Sequence, residues 1–145
     1  YVRRDYIREV ENLDGYKLFL SSANSNGVFG ETLTLPFVGE PGVGNTETFI
    51  SIGNFSSICE ANAVKKYIAT KFVRALLGVL KTTQDITPEK WKYVPQQDFC
   101  ETSDVDWSLS VDDVNDFLCK KYQLTSEEIL FINEKVQAMK DSAEE

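Results

Sequence analysis

Residues 57–81, SICEANAVKKYIATKFVRALLGVLK, decide how this 145-residue chain is read, because no other long segment keeps an unbroken helical period. At about 100° per residue, Ala61, Val64, Ile68, Phe72, Ala75 and Val79 form one stripe, which Val73, Leu76, Leu77 and Leu80 widen in the second half. So wide an apolar arc predicts a helix buried on two sides, with everything else packed on it or hung from its ends. Ser57 and Glu60 predict a capping box at its start. Thr82, Thr83, Asp85 and Pro88 predict its end.

Charge is placed unevenly around that helix. Between Ala61 and Gln84 there is no acidic residue, while Lys65, Lys66, Lys71, Arg74 and Lys81 all fall there. Lys71, Arg74, Gly78 and Lys81 share one side, away from the apolar stripe. Two readings follow. Cations toward a helix C-terminus complement its dipole, and Gly78 admits a neighbouring helix. Alternatively the ridge faces phosphate, with Gly78 letting a backbone approach closely. Residues 1–92 hold eleven basic and ten acidic side chains, against four and thirteen in 93–145. The net charge of −8 therefore belongs to the tail and does not exclude a nucleic-acid surface on the first part.

The length and the 42% hydrophobic content allow a real core and one domain with an appendage. Cys59, Cys100 and Cys119 are odd in number and lack pair spacing, and no apolar run approaches the roughly 20 residues of a membrane span. A reduced, cytoplasmic protein without a membrane partner is expected. The chain opens at Tyr1 without methionine or signal, as an excised piece of something larger would.

In order, Tyr6, Ile7, Val10 and Leu13 predict a helix over 4–14, stopped by Gly15. YKLFLSS (16–22) predicts a strand and ANSNGVFG (23–30) a loop offering Asn and Ser to base edges. TLTLPF (32–37) predicts a strand ended by Pro36; GEPGVGN (39–45) is a turn cluster, and TETFISI (46–52) a strand. Gly53 and Asn54 are expected to turn the chain into the long helix. WKYV (91–94) predicts a short strand. Ser110 with Asp113 caps a helix over 111–122, and Thr125 with Glu128 caps another carrying Ile129, Ile132 and Val136. The expected fold is α+β: a small, mostly antiparallel sheet packed on one long central helix, with a C-terminal helical hairpin. The expected division is 1–106 and 107–145, with a frayed acidic end. Phe49, Ile68, Phe72, Leu76 and Val79 are expected in the core.

No histidine occurs, which removes histidine triads and histidine metal clusters. Cysteine spacing offers no zinc site, and no phosphate loop is present. Asp104 with Asp106, or Glu89 with Lys90, match a nuclease centre only in composition. The residues read as a binding module without a catalytic group.

TETFISIGNF, then TKFVRALLGVLKTTQDITPEKWKYVPQQDF, then a tryptophan, a short helix and KKYQLTSEEILFINEKVQAMK resemble the C-terminal part of bacterial restriction-modification proteins. In that family an adenine methyltransferase, alone or fused to an endonuclease, is followed by a target-recognition domain of this pattern. YKLFLSSANSNG matches near the domain start, and the resemblance spans nearly all of the chain to Lys140. It departs at Ser22, where many members carry a lysine next.

The resemblance implies a DNA sequence-recognition domain, with double-stranded DNA and the parent's N-terminal methyltransferase or nuclease domains as partners. It implies no cofactor in this fragment, and S-adenosylmethionine and Mg in the parent. The methyltransferases' Asn-Pro-Pro-aromatic motif is absent, so the fragment itself is expected to be non-catalytic. Phosphate-contact candidates are Lys17, Lys71, Arg74, Lys81, Lys90 and Lys92; base-contact candidates are Asn24, Ser25, Asn26 and Gln84. The competing expectation is a protein-protein interaction module without DNA contact, and the third a self-sufficient nuclease.

Overall fold

Alternation in YKLFLS makes β1 (Tyr16–Ser21) a strand buried on both faces, with Leu18 and Leu20 pointing one way and Lys17 and Phe19 the other. It is the centre of an antiparallel sheet, flanked by β2 (Phe37–Gly39) and β3 (Phe49–Phe55), in the order β2-β1-β3. Lys17 faces Gly39 and Ser21 faces Phe49, so the 40–48 link runs from one end of β1 to the other while crossing from its β2 side to its β3 side. The computed structural model describes residues 10–21, 29–30, 33–80 and 88–139, with the side chains of Leu80 and Pro88 excepted.

Among the described residues, five helices complete an α+β fold: α1 (Ile58–Ala69), α2 (Lys71–Leu80), α3 (Pro88–Trp91), α4 (Val111–Lys121) and α5 (Ser126–Lys135). One apolar cluster joins Leu18 and Leu20 of β1 to Val64, Ile68, Phe72 and Leu77 of α1 and α2 and to Val114 and Leu118 of α4. No helix among the described residues is long and apolar enough to cross a membrane.

The long helix is two helices. Thr70 adopts an extended ψ of 147° between them, and three bonds explain the break. Its Oγ1 donates to the Tyr67 carbonyl at 2.7 Å and accepts from Val73 N–H at 3.4 Å, so one hydroxyl ends α1 and caps α2. Asn115 of α4 accepts the next free N–H, from Phe72, at 2.8 Å. Thr70→Ala should therefore cost about 2 kcal/mol in denaturant melts, Thr70→Ser much less; equal losses would mean that the hydroxyl does not hold the break.

Beyond the break only the first two turns of α2 are enclosed. Phe72, Val73, Ala75 and Leu77 face the core as α2's own set, Ile68 is buried on α1, and Leu76 and Phe49 are half-buried. Val79, expected inside, is 72% exposed. At the start of α1, Ser57 Oγ accepts Glu60 N–H, but the Glu60 carboxylate turns to the N–H and hydroxyl of Ser56, so only half of the expected capping box forms. At α5 the box is complete, and Ser110 caps α4 through Asp113.

Other boundaries move for identifiable reasons. The second strand is Phe37–Gly39, after Pro36, whose missing N–H keeps 33–36 out of the ladder. Residues 46–48 lie before β3, which runs on through Gly53 and Asn54. There two β3 residues oppose one on β1, and Gly53 supplies the φ of +81° that such a bulge requires, so this pair bends a strand where a turn was expected. Residues 91–94 form the end of α3 and a turn, not a strand: Val94 N–H donates to the Trp91 carbonyl at 3.1 Å. Of the helix expected over 4–14, residues 10–14 are a turn and the rest lies outside the described residues.

Candidate nucleic-acid interface

Lys17 is 1% exposed on the sheet face that carries Phe19. Its ammonium donates to the carbonyls of Asn12 at 2.9 Å and Leu13 at 2.8 Å, closing the 10–14 turn on β1. Asn12 in turn donates to Ser51 Oγ and the Gly53 carbonyl, and Asn54 donates to the Glu11 carbonyl. The same ammonium has its pKa lowered by burial, against the smaller pull of Asp14. Lys17 is thus a tie between turn and sheet, not a group turned toward a phosphate.

Arg74 corrects the ridge in the same way. It is 2% exposed, because the 29–30 backbone and the chain beyond α5 cover that side of α2. Its Nε donates to the Gly30 carbonyl at 3.1 Å and an Nη to the Gln137 carbonyl at 2.6 Å. Gly78 explains itself beside it: a Cβ there would lie 3.2 Å from Gly30 N and 3.1 Å from the Phe29 ring. The backbone that Gly78 admits belongs to this chain.

The dipole reading changes too. With α2 starting at Lys71, that lysine stands at a helix N-terminus, where a cation is disfavoured. It is half-buried, and its ammonium donates to Asn133 Oδ1 of α5 at 3.2 Å. Lys66 does occupy the last turn of α1, and donates to the carbonyls of Trp107 and Leu109. Lys90 is half-buried on α3, while Lys92 and Tyr93, just beyond it, project into solvent, Tyr93 at 66% exposure. Lys81, Asn24, Ser25, Asn26 and Gln84 lie outside the described residues, as do Arg3, Arg4 and Arg8.

Sequence reasoning missed what the 91–107 segment does. Tyr67 donates its hydroxyl to the Pro95 carbonyl and packs against Phe99 and Trp107 at 5.7 and 6.1 Å. Trp107 Nε1 donates to the Asp98 carbonyl at 3.0 Å. Gln97, 6% exposed, donates to Tyr122 Oη at 2.7 Å and accepts from Lys121 at 2.8 Å. VPQQDF is therefore a strap that binds α1 to α4 through its polar atoms. The residue types signalled this weakly: a Gln and a Pro carbonyl among aromatics have to find partners once buried. Between the strap, β3 and α1 lies a cleft of about 700 Å³ lined by Ile50, Ile52, Ile68, Val94 and Trp91, whose indole Nε1 is buried without a partner.

Tyr67 makes the strap titratable. Burial, first of all, raises its phenol above the ordinary 10.0; the Gln97 hydrogen bond works against this and Tyr122 adds to it. The folded chain keeps that proton while the unfolded chain releases it, so the contribution is full below about pH 10 and falls above it, by about 1.4 kcal/mol per pH unit. Lys17 has the opposite sign: with its pKa lowered in the fold, its share of stability rises as pH approaches 10.5. In melts from about pH 9 to 11 the chain should lose stability above about pH 10 relative to its Tyr67→Phe variant. An equally steep loss in that variant would assign the effect elsewhere.

The acidic pairs have structural employment. Asp104 pairs with Lys121 at 2.7 Å, and Asp106 accepts from the N–H and hydroxyl of Ser108. Among the described residues, no three Cys, Asp or Glu side chains are grouped to hold a metal ion. Besides exposed Lys120, Lys121 and Lys135 on α4 and α5, the surface offers an exposed cation and aromatic at 92–93, a half-buried Lys71, and the fully exposed 40–48 link, whose Asn45 and Thr46 brace it through Phe49 O and Thr48 Oγ1. No family model matches the chain, and neither does any curated protein or solved structure.

Proposed function

We propose that this chain is the DNA target-recognition domain of a restriction-modification enzyme, directing adenine methylation, with or without cleavage, performed by other domains of the parent. The observation that carries the reading is the division of labour within WKYVPQQDF, the segment at the centre of the resemblance. Its Val94, Pro95, Gln97 and Phe99 are committed to the cleft wall and strap, while Lys92 and Tyr93 face outward. An exposed cation beside an exposed aromatic suits a phosphate and a sugar or base. Lys71 and Lys90 are the further phosphate candidates among the described residues, and Lys81, Asn24, Ser25, Asn26 and Gln84 stay candidates on the resemblance. S-adenosylmethionine and Mg belong, on this reading, to the parent's catalytic domains, and the compartment is the cytoplasm.

The test is a titration of the full-length gene product against duplex DNA at several salt concentrations. Lys92→Glu should weaken binding to all sequences alike and lower the salt slope by roughly 0.9, as one lost phosphate contact does. Unchanged affinity and slope would remove 92–93 from the interface, and a full-length protein lacking methyltransferase motifs upstream would sink the reading altogether. The competing interaction-module reading draws on the acidity of 93–145 and predicts no DNA binding at low salt.

A further inference from the structure

We propose that the groove between α2 and α5 docks a basic amphipathic helix of a partner protein, whether or not the chain also contacts DNA. The groove measures about 590 Å³ and is walled by Leu76 and Val79 of α2, Leu124, and Phe131 of α5, with Phe29 along it. Val79 is 72% exposed, Phe131 48%, and Leu130 beside it 61%. Large apolar side chains this open, gathered on two facing helices, are unlike the scattered exposure of an ordinary surface. The walls are held from within. Arg74 ties the groove's two sides through Gly30 and Gln137, Ile132 and Val136 pack on Ala75, and the Phe29 and Phe131 rings meet edge-on at 5.5 Å. Each helix is ten residues long, about 15 Å, so a third helix of similar length can lie along both.

Charge selects the occupant. Glu127 and Glu128 stand at the groove; the Glu128 carboxylate is committed to the Thr125 cap, which leaves Glu127 offered outward. Exposed Asp112, Asp113, Asp116 and Glu134 outnumber exposed Lys120, Lys121 and Lys135, so the hairpin stays net acidic. With Glu127 and Glu128 this balance disfavours DNA and an anionic membrane along the groove, and a second copy would bring its own −8. A helix with Lys or Arg flanking an apolar stripe meets both features of the groove.

The probe is a synthetic helix of about 15 residues with Leu at i, i+3, i+4 and i+7 and Lys on the flanks, compared with its Glu-for-Lys counterpart. Amide shifts of the labelled chain should move at 72–79 and 124–132 with the Lys peptide and not with the Glu peptide. Val79→Ser, at a position too exposed to disturb folding, should weaken binding about tenfold, and Glu127→Lys similarly. Shifts spread over the acidic surface, equal binding of both peptides, or an unaffected Val79→Ser variant would each overturn the proposal. So would concentration-dependent dimerisation of the chain abolished by Val79→Ser, since the groove's occupant would then be a second copy.

Discussion

Phe72→Ala should lower the unfolding free energy by about 4 kcal/mol, and Val79→Ala should leave it within about 0.5 kcal/mol. Both residues lie on α2, seven residues apart on one side of it, so burial of the whole stripe expected over 57–81 would demand a loss at each, about 2 kcal/mol for the valine. Packing along α2, which encloses its start and leaves its end open, separates them. Phe72 is 3% exposed, stacks on Tyr122 at 5.1 Å and 19°, and belongs to the cluster linking sheet, α1 and α4. Its N–H, bonded to Asn115, is untouched by the change, so the loss reports the side chain and the cavity it leaves. Denaturant melts with an unchanged m-value check this. A loss of about 2 kcal/mol or more at 79 would place Val79 in the core and overturn its exposure.

The elements that read correctly are those with local causes. Alternation placed β1, and Ser110 and Thr125 placed the starts of α4 and α5, because a cap is formed by residues three apart. Thr70 was illegible because neither Gly nor Pro marks it, and one partner that stabilises the break, Asn115, is 45 residues from it in sequence. Gly53 and Asn54 were legible as a departure from regular backbone but not as a bulge, since a turn and a bulge ask for the same glycine. The interface was least legible. Composition counts cations but does not say which of them end on main-chain carbonyls, as Lys17 does on nearby Asn12 and Leu13 and Arg74 on distant Gly30 and Gln137. Conversely, Leu130 reads as one more apolar position on a capped helix, and only the packing of α5 against α2 shows that it faces out.

Arg74→Met should cost about 3 kcal/mol of stability while leaving the salt dependence of DNA binding unchanged. Methionine keeps the unbranched stem and helix propensity and removes every donor, so the buried carbonyl of Gly30 and the part-buried one of Gln137 lose a charge-assisted bond each. Those bonds hold the 29–30 segment against Gly78 and the chain beyond α5 against α2, so the loss should appear first as faster amide exchange at 29–30 and 136–138. Arg74→Lys should recover little of it, because one ammonium cannot reproduce the planar fork that reaches two carbonyls from two different nitrogens. Lys92→Glu supplies the contrast: close to neutral for stability, and lowering the salt slope by roughly 0.9 if the proposed contact forms. Melts and salt titrations of the two variants side by side therefore assign each cation to one role. A slope that falls with Arg74→Met while stability holds would place the guanidinium on phosphate and overturn its burial beneath α5.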